Sequence, residues 1–192
     1  MSARTSSVDR ASGADEGEME RVAEAFGIHP LSVEDVRGDV RPKTEEFPGH
    51  TFVLVKAARL RSGETTFDEE VRTRPVGLFV GRDWLVTLSR SEPAAVEAVW
   101  AAVHGRDPRL GRFGPDFAAY RVVDLVVDDY FDLLEELEDD IEAIEDGVLA
   151  GPDEDVLVAL NSVRRELLSV RKLLWPTREA TGVLARGDPD EV

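Results

Sequence analysis

The chain has 192 residues, with 23 Lys and Arg against 40 Asp and Glu, so its formal net charge at pH 7 is −17. This charge argues against DNA or RNA as a partner, because nucleic-acid-binding proteins usually present a basic face to the phosphates. The longest runs without Asp, Glu, Lys or Arg cover 9 residues, 25–33 and 47–55, and there is no cysteine. These features exclude a membrane-spanning helix, which needs roughly 20 mostly apolar residues, and also a disulfide, a thiolate metal site and a cysteine nucleophile.

The N-terminal segment, residues 1–16, is rich in small polar residues without periodicity, and we expect it to be mobile. Apolar residues recur at helical spacing over 17–27, and a second short helix is predicted to begin at Pro30, since proline is favourable in a first helical turn. The segment 37–48 is predicted to be a loop. Because no secretory leader is present, we expect a soluble intracellular segment.

Runs rich in Val, Phe, Leu and Thr then favour β structure. They predict strands at 51–60, 67–74, 75–80 and 84–89. The last two flank the turn residues Gly81, Arg82 and Asp83, which predicts a hairpin. A helix is predicted at 94–104 from the spacing of its apolar residues. Residues 17–112 therefore predict an α/β core.

From residue 113 onward the pattern changes to that of two long helices. Apolar residues alternate at steps of three and four, at Tyr120, Val123, Val127, Tyr130, Leu134, Leu137, Ile141, Ile144 and Val148. The same spacing of apolar residues continues after a turn at 150–153, at Val156, Leu160, Val163, Leu167, Val170 and Leu174. At about 1.5 Å per residue each helix is about 50 Å long. The short turn predicts a long antiparallel hairpin over 113–192 that extends beyond the core.

The first long helix carries most of the charge. No Lys or Arg occurs between Val122 and Val163, whereas 15 acidic residues do. This surface is either a solvated face that maintains solubility or a cation-attracting surface, because like charges three and four residues apart destabilise a helix. The acidic residues offer only oxygen donors and the three histidines are scattered, so the composition favours Mg²⁺ or Ca²⁺ over zinc.

Two sets of motifs resemble the CorA family of magnesium and cobalt transporters. The first is similar to the family's HPLxxED and RPKxE signature and consists of His29, Pro30, Leu31, Ser32, Val33, Glu34 and Asp35, then Arg41, Pro42, Lys43, Thr44, Glu45 and Glu46. The second is similar to its DxxVDxY and WPxRE motifs and covers 123–131 and 174–179. The order and spacing of the motifs fit, and the resemblance covers roughly residues 17–184.

The resemblance implies an α/β/α sandwich core with a mixed sheet, followed by the long acidic hairpin. It implies the cytoplasmic part of a homopentameric channel at the cell membrane, with the stalk helix, membrane helices and pore beyond residue 192. The family's regulatory Mg²⁺ sites lie between neighbouring protomers. Three of their carboxylates correspond to Glu34, Asp35 and Asp124, and the fourth, an Asp on the stalk helix of the next subunit, is expected beyond residue 192. Asp128, one helical turn after Asp124, is a further candidate ligand. Co²⁺ or Ca²⁺ are expected to substitute for Mg²⁺, and bound ion is expected to favour the closed channel.

Other classes of function are less consistent with the sequence. An enzyme is not expected, because there is no Gly-rich phosphate loop, nucleophile elbow or His-based metal motif. The cytoplasmic domain of a zinc-transporting relative has the same expected architecture, and ion selectivity would reside in a pore outside this chain. A coiled-coil interaction module that binds no metal would explain the hairpin but not Glu34, Asp35 or the Arg-Pro-Lys block.

Overall fold

The structure, a computed structural model, describes residues 7–12, 16–61, 70–105, 107, 114–151 and 153–186. Within these ranges the strands are β1 (Ser7–Ser12), β2 (Lys43–Phe47), β3 (His50–Arg61), β4 (Glu70–Gly81) and β5 (Trp84–Ser89). The helices are α1 (Glu16–Phe26), α2 (Pro30–Arg37), α3 (Ala94–His104), α4 (Pro115–Ala150) and α5 (Glu154–Arg186). The predicted helices are all present.

The strands form one sheet in the order β1-β5-β4-β3-β2. Strand β1 pairs with β5 in parallel and the other neighbours are antiparallel, so the sheet is mixed, as expected. The longest ladder joins β3 to β4, from His50 opposite Gly81 to Arg61 opposite Glu70. This ladder is the centre on which both helical layers pack.

Two edge strands lie in segments that were expected to be irregular. Strand β2 occupies the segment 37–48, predicted to be a loop, because charged residues at an edge conceal the alternation of a strand. Its Thr44 hydroxyl donates to the Ala180 carbonyl at 3.0 Å, which ties this edge to α5. Strand β1 occupies part of the segment expected to be mobile, and it is held by backbone pairing along β5. The remainder of 1–15 lies outside the described residues.

Strand β4 is a single strand rather than the two that were predicted. It passes through Pro75, which has Lys56 of β3 opposite it. Because β5 pairs only with Gly77–Val80, the missing amide of Pro75 interrupts no bond to β5. The Ser89 hydroxyl donates to the Pro75 carbonyl at 2.9 Å and closes this end of the hairpin.

Each face of the sheet has its own core, since successive strand residues point to opposite sides. One core lies beneath α1 and α2 and includes Met19, Val33, Val36, Phe52, Leu54 and Phe79. The other lies beneath α3, α4 and α5 and includes Val53, Val55, Leu78, Val96, Val122, Val126 and Leu173. The architecture is therefore the α/β/α sandwich that the resemblance implied.

Helices α4 and α5 form an antiparallel hairpin, because Gly147 adjoins Val156 near the turn and Tyr130 lies beside Thr177 far from it. The apolar residues that the sequence places at steps of three and four along the hairpin form a stripe that is only partly buried. Six of its members are exposed, namely Tyr120, Leu134, Ile141, Val148, Leu160 and Leu167. The first half of α4 instead buries small residues, among them Ala118 and Ala119, because it packs closely on the sheet. Among the described residues, no helix is both long and apolar enough to cross a bilayer.

Candidate metal-binding residues

Helix α2 carries the first two predicted ligands, Glu34 and Asp35. Its start is set by His29, whose Nδ1 accepts from the Leu31 amide at 3.2 Å, followed by Pro30 in the first turn. The apolar side of the helix is buried in the sheet. Glu34 is consequently exposed, and Asp35 is half-buried at the edge of the helix.

Asp35 is already ion-paired within the chain. Its carboxylate lies 2.7 Å from Nζ of Lys43, which also contacts Glu45 at 2.8 Å. Burial lowers the pKa of Lys43, but the hydrogen bonds and charges of Asp35 and Glu45 outweigh it and the pKa is raised. A cation that binds Asp35 must therefore compete with this ammonium group. The pairing of Lys43 with Asp35 depends on β2 being a strand beside α2, which the sequence did not reveal.

The other two predicted ligands lie on α4. Asp124 is half-buried, forms an ion pair with Arg121, and accepts from the Tyr120 hydroxyl at 3.3 Å. Asp128, four residues later, is exposed. The neighbouring Asp129 shows the effect of crowding, because burial and the charges of Asp132 and Asp128 raise its pKa.

The sheet separates the two pairs of carboxylates. Helix α2 packs on one face, and α4 packs on the opposite face. Glu34 and Asp35 are thus not brought together with Asp124 and Asp128 in a single chain. In the described part of the chain, no three His, Asp or Glu side chains are grouped as a metal site. The oxygen donors suit Mg²⁺, but one protomer supplies only pairs of them.

Two of the three histidines, His29 and His50, stack on the same ring, Phe47, whereas His104 ends α3. His29 caps α2 and stacks on Phe47 at 5.9 Å. His104 contacts the Trp100 carbonyl at 3.0 Å through Nδ1. His50 is buried among aromatic rings, and burial lowers its pKa. Sequence spacing alone did not reveal this buried position.

A second acidic surface lies near the hairpin turn. The sequence predicted an acidic segment there but did not indicate which of its residues lie together. Asp140, Asp153 and Asp155 border a cleft there, together with Glu166. Glu166 is buried between the helices and accepts from the Ser162 hydroxyl at 3.3 Å. Its position in a polar stretch of α5 gave no sign that it faces inward.

The chain matches a class of ion-transport proteins. The family model described as "CorA-like Mg2+ transporter protein" matches residues 10–192. The chain belongs to this family, which is one of transporters rather than enzymes.

Curated relatives of the chain support this family assignment. The chain is 30% identical over 175 residues to the cobalt/magnesium transport protein CorA of Thermotoga maritima, covering 89% of this chain and 48% of the relative. It is 27% identical over 171 residues to the putative metal ion transporter YfjQ of Bacillus subtilis, covering 87% and 50%. The chain thus spans about half the length of these curated relatives.

Solved structures show the same fold. The soluble domain of CorA from Methanocaldococcus jannaschii superposes with a TM-score of 0.73 at 23% identity, covering 94% of this chain and 70% of that one. The ZntB cytoplasmic domain from Vibrio parahaemolyticus superposes with a TM-score of 0.69 at 10% identity, covering 94% and 69%. At these identities the likeness concerns the fold alone.

Proposed function

We propose that this chain is the Mg²⁺-sensing regulatory domain, on the cytoplasmic side of the membrane, of a CorA-type divalent-cation channel. In this proposal Mg²⁺ binds between neighbouring protomers of a homopentamer and favours the closed state. Co²⁺ and Ca²⁺ would occupy the same oxygen ligands. The observation that carries the proposal is the placement of candidate carboxylates on two opposite layers of the sandwich.

Such a placement suits a site shared between protomers. A ring of identical subunits uses two different surfaces of each chain, so that one surface meets the other on its neighbour. Glu34 and Asp35 on α2 of one protomer would face Asp124 and Asp128 on α4 of the next. Each side contributes too few oxygens alone, and the assembled interface supplies enough for a hydrated Mg²⁺.

The ion pairs within the chain lower the affinity of the proposed site for Mg²⁺ and make binding readily reversible. Lys43 neutralises Asp35 and Arg121 neutralises Asp124 when no ion is bound. Mg²⁺ must displace these groups and retains much of its water, which favours the low affinity that an intracellular sensor requires. Because the ion binds only where the interface is assembled, it shifts the population toward that state by its differential affinity.

A zinc-transporting relative is less well supported. Zinc sites use sulfur or imidazole ligands, whereas the chain has no cysteine, and no three His, Asp or Glu side chains of the described residues are grouped as a metal site. A metal-independent coiled-coil module would predict no ion-specific response at all, so one experiment distinguishes it.

The experiment is a titration of the thermal midpoint with Mg²⁺ at constant ionic strength, with Na⁺ as the screening control. A ligand at about ten times its Kd adds about 1.4 kcal/mol, or roughly 3–5 °C for a chain of this size. Asp35→Asn is expected to reduce this rise, and Glu45→Gln to preserve it. The two variants are matched, because each removes one carboxylate partner of Lys43. Equal responses of both variants and the parent would exclude Asp35 as a ligand.

A further inference from the structure

Strand β2 is an edge strand that contacts both helical layers. Among the described strands it pairs only with β3, and its successive residues point to opposite faces of the sheet. Lys43 lies opposite Leu54, on the face that α1 and α2 cover. Thr44 lies opposite Val53, on the face that α3, α4 and α5 cover. Two adjacent residues therefore connect one short strand with both sides of the sandwich.

On the first face, Lys43 joins β2 to α2. Its Nζ lies 2.7 Å from the Asp35 carboxylate and 5.9 Å from the centre of the Phe52 ring. Its other carboxylate partner among the described residues, Glu45, belongs to β2 itself. The pair with Glu45 thus lies within the strand, whereas the pair with Asp35 connects the strand to the helix.

On the second face, Thr44 joins β2 to the C-terminal part of α5. Its hydroxyl donates to the Ala180 carbonyl at 3.0 Å, and Ala180 is buried. Pro176 lies inside α5 and cannot donate a backbone hydrogen bond to the preceding turn. The segment after it, 177–186, which we call the α5 end, is therefore joined less firmly to the rest of the helix. Its position depends more on contacts such as that with Thr44.

We propose that β2 couples Asp35 to the α5 end, and that Thr44 is the positioning residue of this coupling. Release of Lys43 from Asp35 frees β2 on one face and thereby weakens the bond from Thr44 to Ala180 on the other. The trigger rests on the proposed function, because Mg²⁺ bound at Asp35 would repel and displace the Lys43 ammonium group. The ion would exchange a contact within the chain for one between chains, and the α5 end would respond.

The coupling must act in both directions. Loss of the Thr44 hydroxyl weakens the hold of Lys43 on Asp35, so that Mg²⁺ meets less competition there. In the Mg²⁺ titration, half of the rise in thermal midpoint is therefore expected at an about two- to threefold lower concentration in Thr44→Val than in the parent. A residue that only stabilised the fold would not raise the affinity for the ion.

Hydrogen–deuterium exchange without divalent cations tests the coupling itself, because Asp35→Asn releases Lys43 without an ion. Amide exchange at the α5 end is expected to rise about two- to fivefold in Asp35→Asn and about two- to tenfold in Thr44→Val. Glu45→Gln is the matched control, since it removes the partner of Lys43 that lies within β2, and it should stay within about 1.5-fold of the parent. Thr44→Ser keeps the hydroxyl and should also match the parent.

The double variant Asp35→Asn/Thr44→Val separates coupling from two independent losses. Without the Thr44 hydroxyl, release of Lys43 no longer reaches the α5 end, so the double variant is expected to exchange like Thr44→Val alone. Each rate is compared with that of the α3 amides in the same variant, because α3 packs on the sheet away from α2 and reports general destabilisation.

Three results would overturn the proposal. The first is exchange at the α5 end, relative to α3, that is the same in Asp35→Asn and the parent. The second is an increase in the double variant equal to the product of the two single increases. The third is an unchanged or lower affinity of Thr44→Val for Mg²⁺. Because the exchange experiment contains no Mg²⁺, its failure contradicts the coupling and not the proposed function, which fails instead if Mg²⁺ leaves the parent's thermal midpoint unchanged.

Discussion

At the scale of single residues, Tyr130 is the main polar link between the hairpin and the sheet. It is 2% exposed, and its hydroxyl donates to the Lys56 carbonyl at 2.6 Å. Burial raises the pKa of Tyr130 to about 12. The phenol is therefore protonated at physiological pH and remains a donor. The Lys56 side chain, in turn, pairs with Asp39 just after α2, so this strand residue has polar links to both helical layers.

Tyr130→Phe is expected to lower the free energy of unfolding by about 1–2 kcal/mol, because it leaves the Lys56 carbonyl without this donor. Tyr120→Phe is the matched control on the same helix. Tyr120 is 55% exposed and donates to Asp124 at 3.3 Å, so we expect a change within about 0.5 kcal/mol. Denaturant unfolding measures both. Equal losses would show that the Lys56 bond is not a specific contributor.

His50 is expected to make stability depend on pH. It stacks on Phe47 at 5.2 Å and lies 5.8 Å from Trp84, and its Nε2 has no hydrogen-bond partner among the described residues. Burial lowers its pKa from the ordinary 6.5. The folded state thus favours the neutral ring. This contribution to stability is fully present above pH 6.5 and is lost as the pH falls through 6.5 toward the lowered value.

The variant His50→Phe keeps an aromatic ring but cannot titrate. From pH 7 to pH 5.5 the parent is expected to lose stability relative to this variant, by at most about 1.4 kcal/mol per pH unit. Denaturant unfolding at the two pH values measures the difference, and the acidic residues common to both proteins cancel. Parallel pH profiles would mean that His50 is protonated equally in folded and unfolded chains.

At the scale of elements, the position of α2 depends on Gly77 of β4. A Cβ at this glycine would lie 2.4 Å from Cγ2 of Val36 and 3.3 Å from a ring carbon of Phe79. Val36 is fully buried, so the helix cannot yield without opening its core. This close approach holds the helix that bears Glu34 and Asp35 against the sheet.

Gly77→Ala is expected to lower the free energy of unfolding by about 1–3 kcal/mol through overpacking. Gly182→Ala is the control, because a Cβ there meets no atom within 4 Å and alanine favours a helix by up to about 1 kcal/mol. Thermal or denaturant unfolding should therefore show opposite signs for the two substitutions. A neutral Gly77→Ala would mean that α2 shifts without cost.

The elements also show what the sequence could predict. Apolar patterns identified each helix of the described residues, and Val-rich runs identified β3, β5 and the two parts of β4, because burial imposes those patterns directly. Strand β2 was missed because its residues, Lys-Thr-Glu-Glu-Phe, are largely charged at a sheet edge. The periodic pattern predicted that the apolar stripe of the hairpin is buried, but its members Ile141 and Leu160 are exposed. Periodicity reveals that residues share a side, but not whether a neighbour covers it.

The predicted ligands were identified by resemblance to family motifs rather than by spacing. Glu34 and Asp35 are typical of an early helical turn, and Asp124 is one of many acids on α4. Their distribution over two layers depends on long-range topology, which local sequence does not encode. The ion pair between Asp35 and Lys43 likewise depends on a strand that the sequence did not reveal.

At the scale of the whole molecule, the proposed function depends on assembly. One protomer presents pairs of carboxylates on opposite faces, and most of its −17 charge is concentrated on α4 and the adjoining turn. Neighbouring copies therefore repel unless a cation is bound between them. Mg²⁺ binding and association of protomers should be linked, each strengthening the other by the same factor.

Sedimentation equilibrium with and without Mg²⁺, at equal ionic strength set by Na⁺, tests this central claim most directly. We predict that Mg²⁺ increases the average mass in a manner that depends on protein concentration, and that Asp35→Asn reduces the increase whereas Glu45→Gln does not. An unchanged mass in Mg²⁺ and Na⁺ would contradict a site shared between protomers.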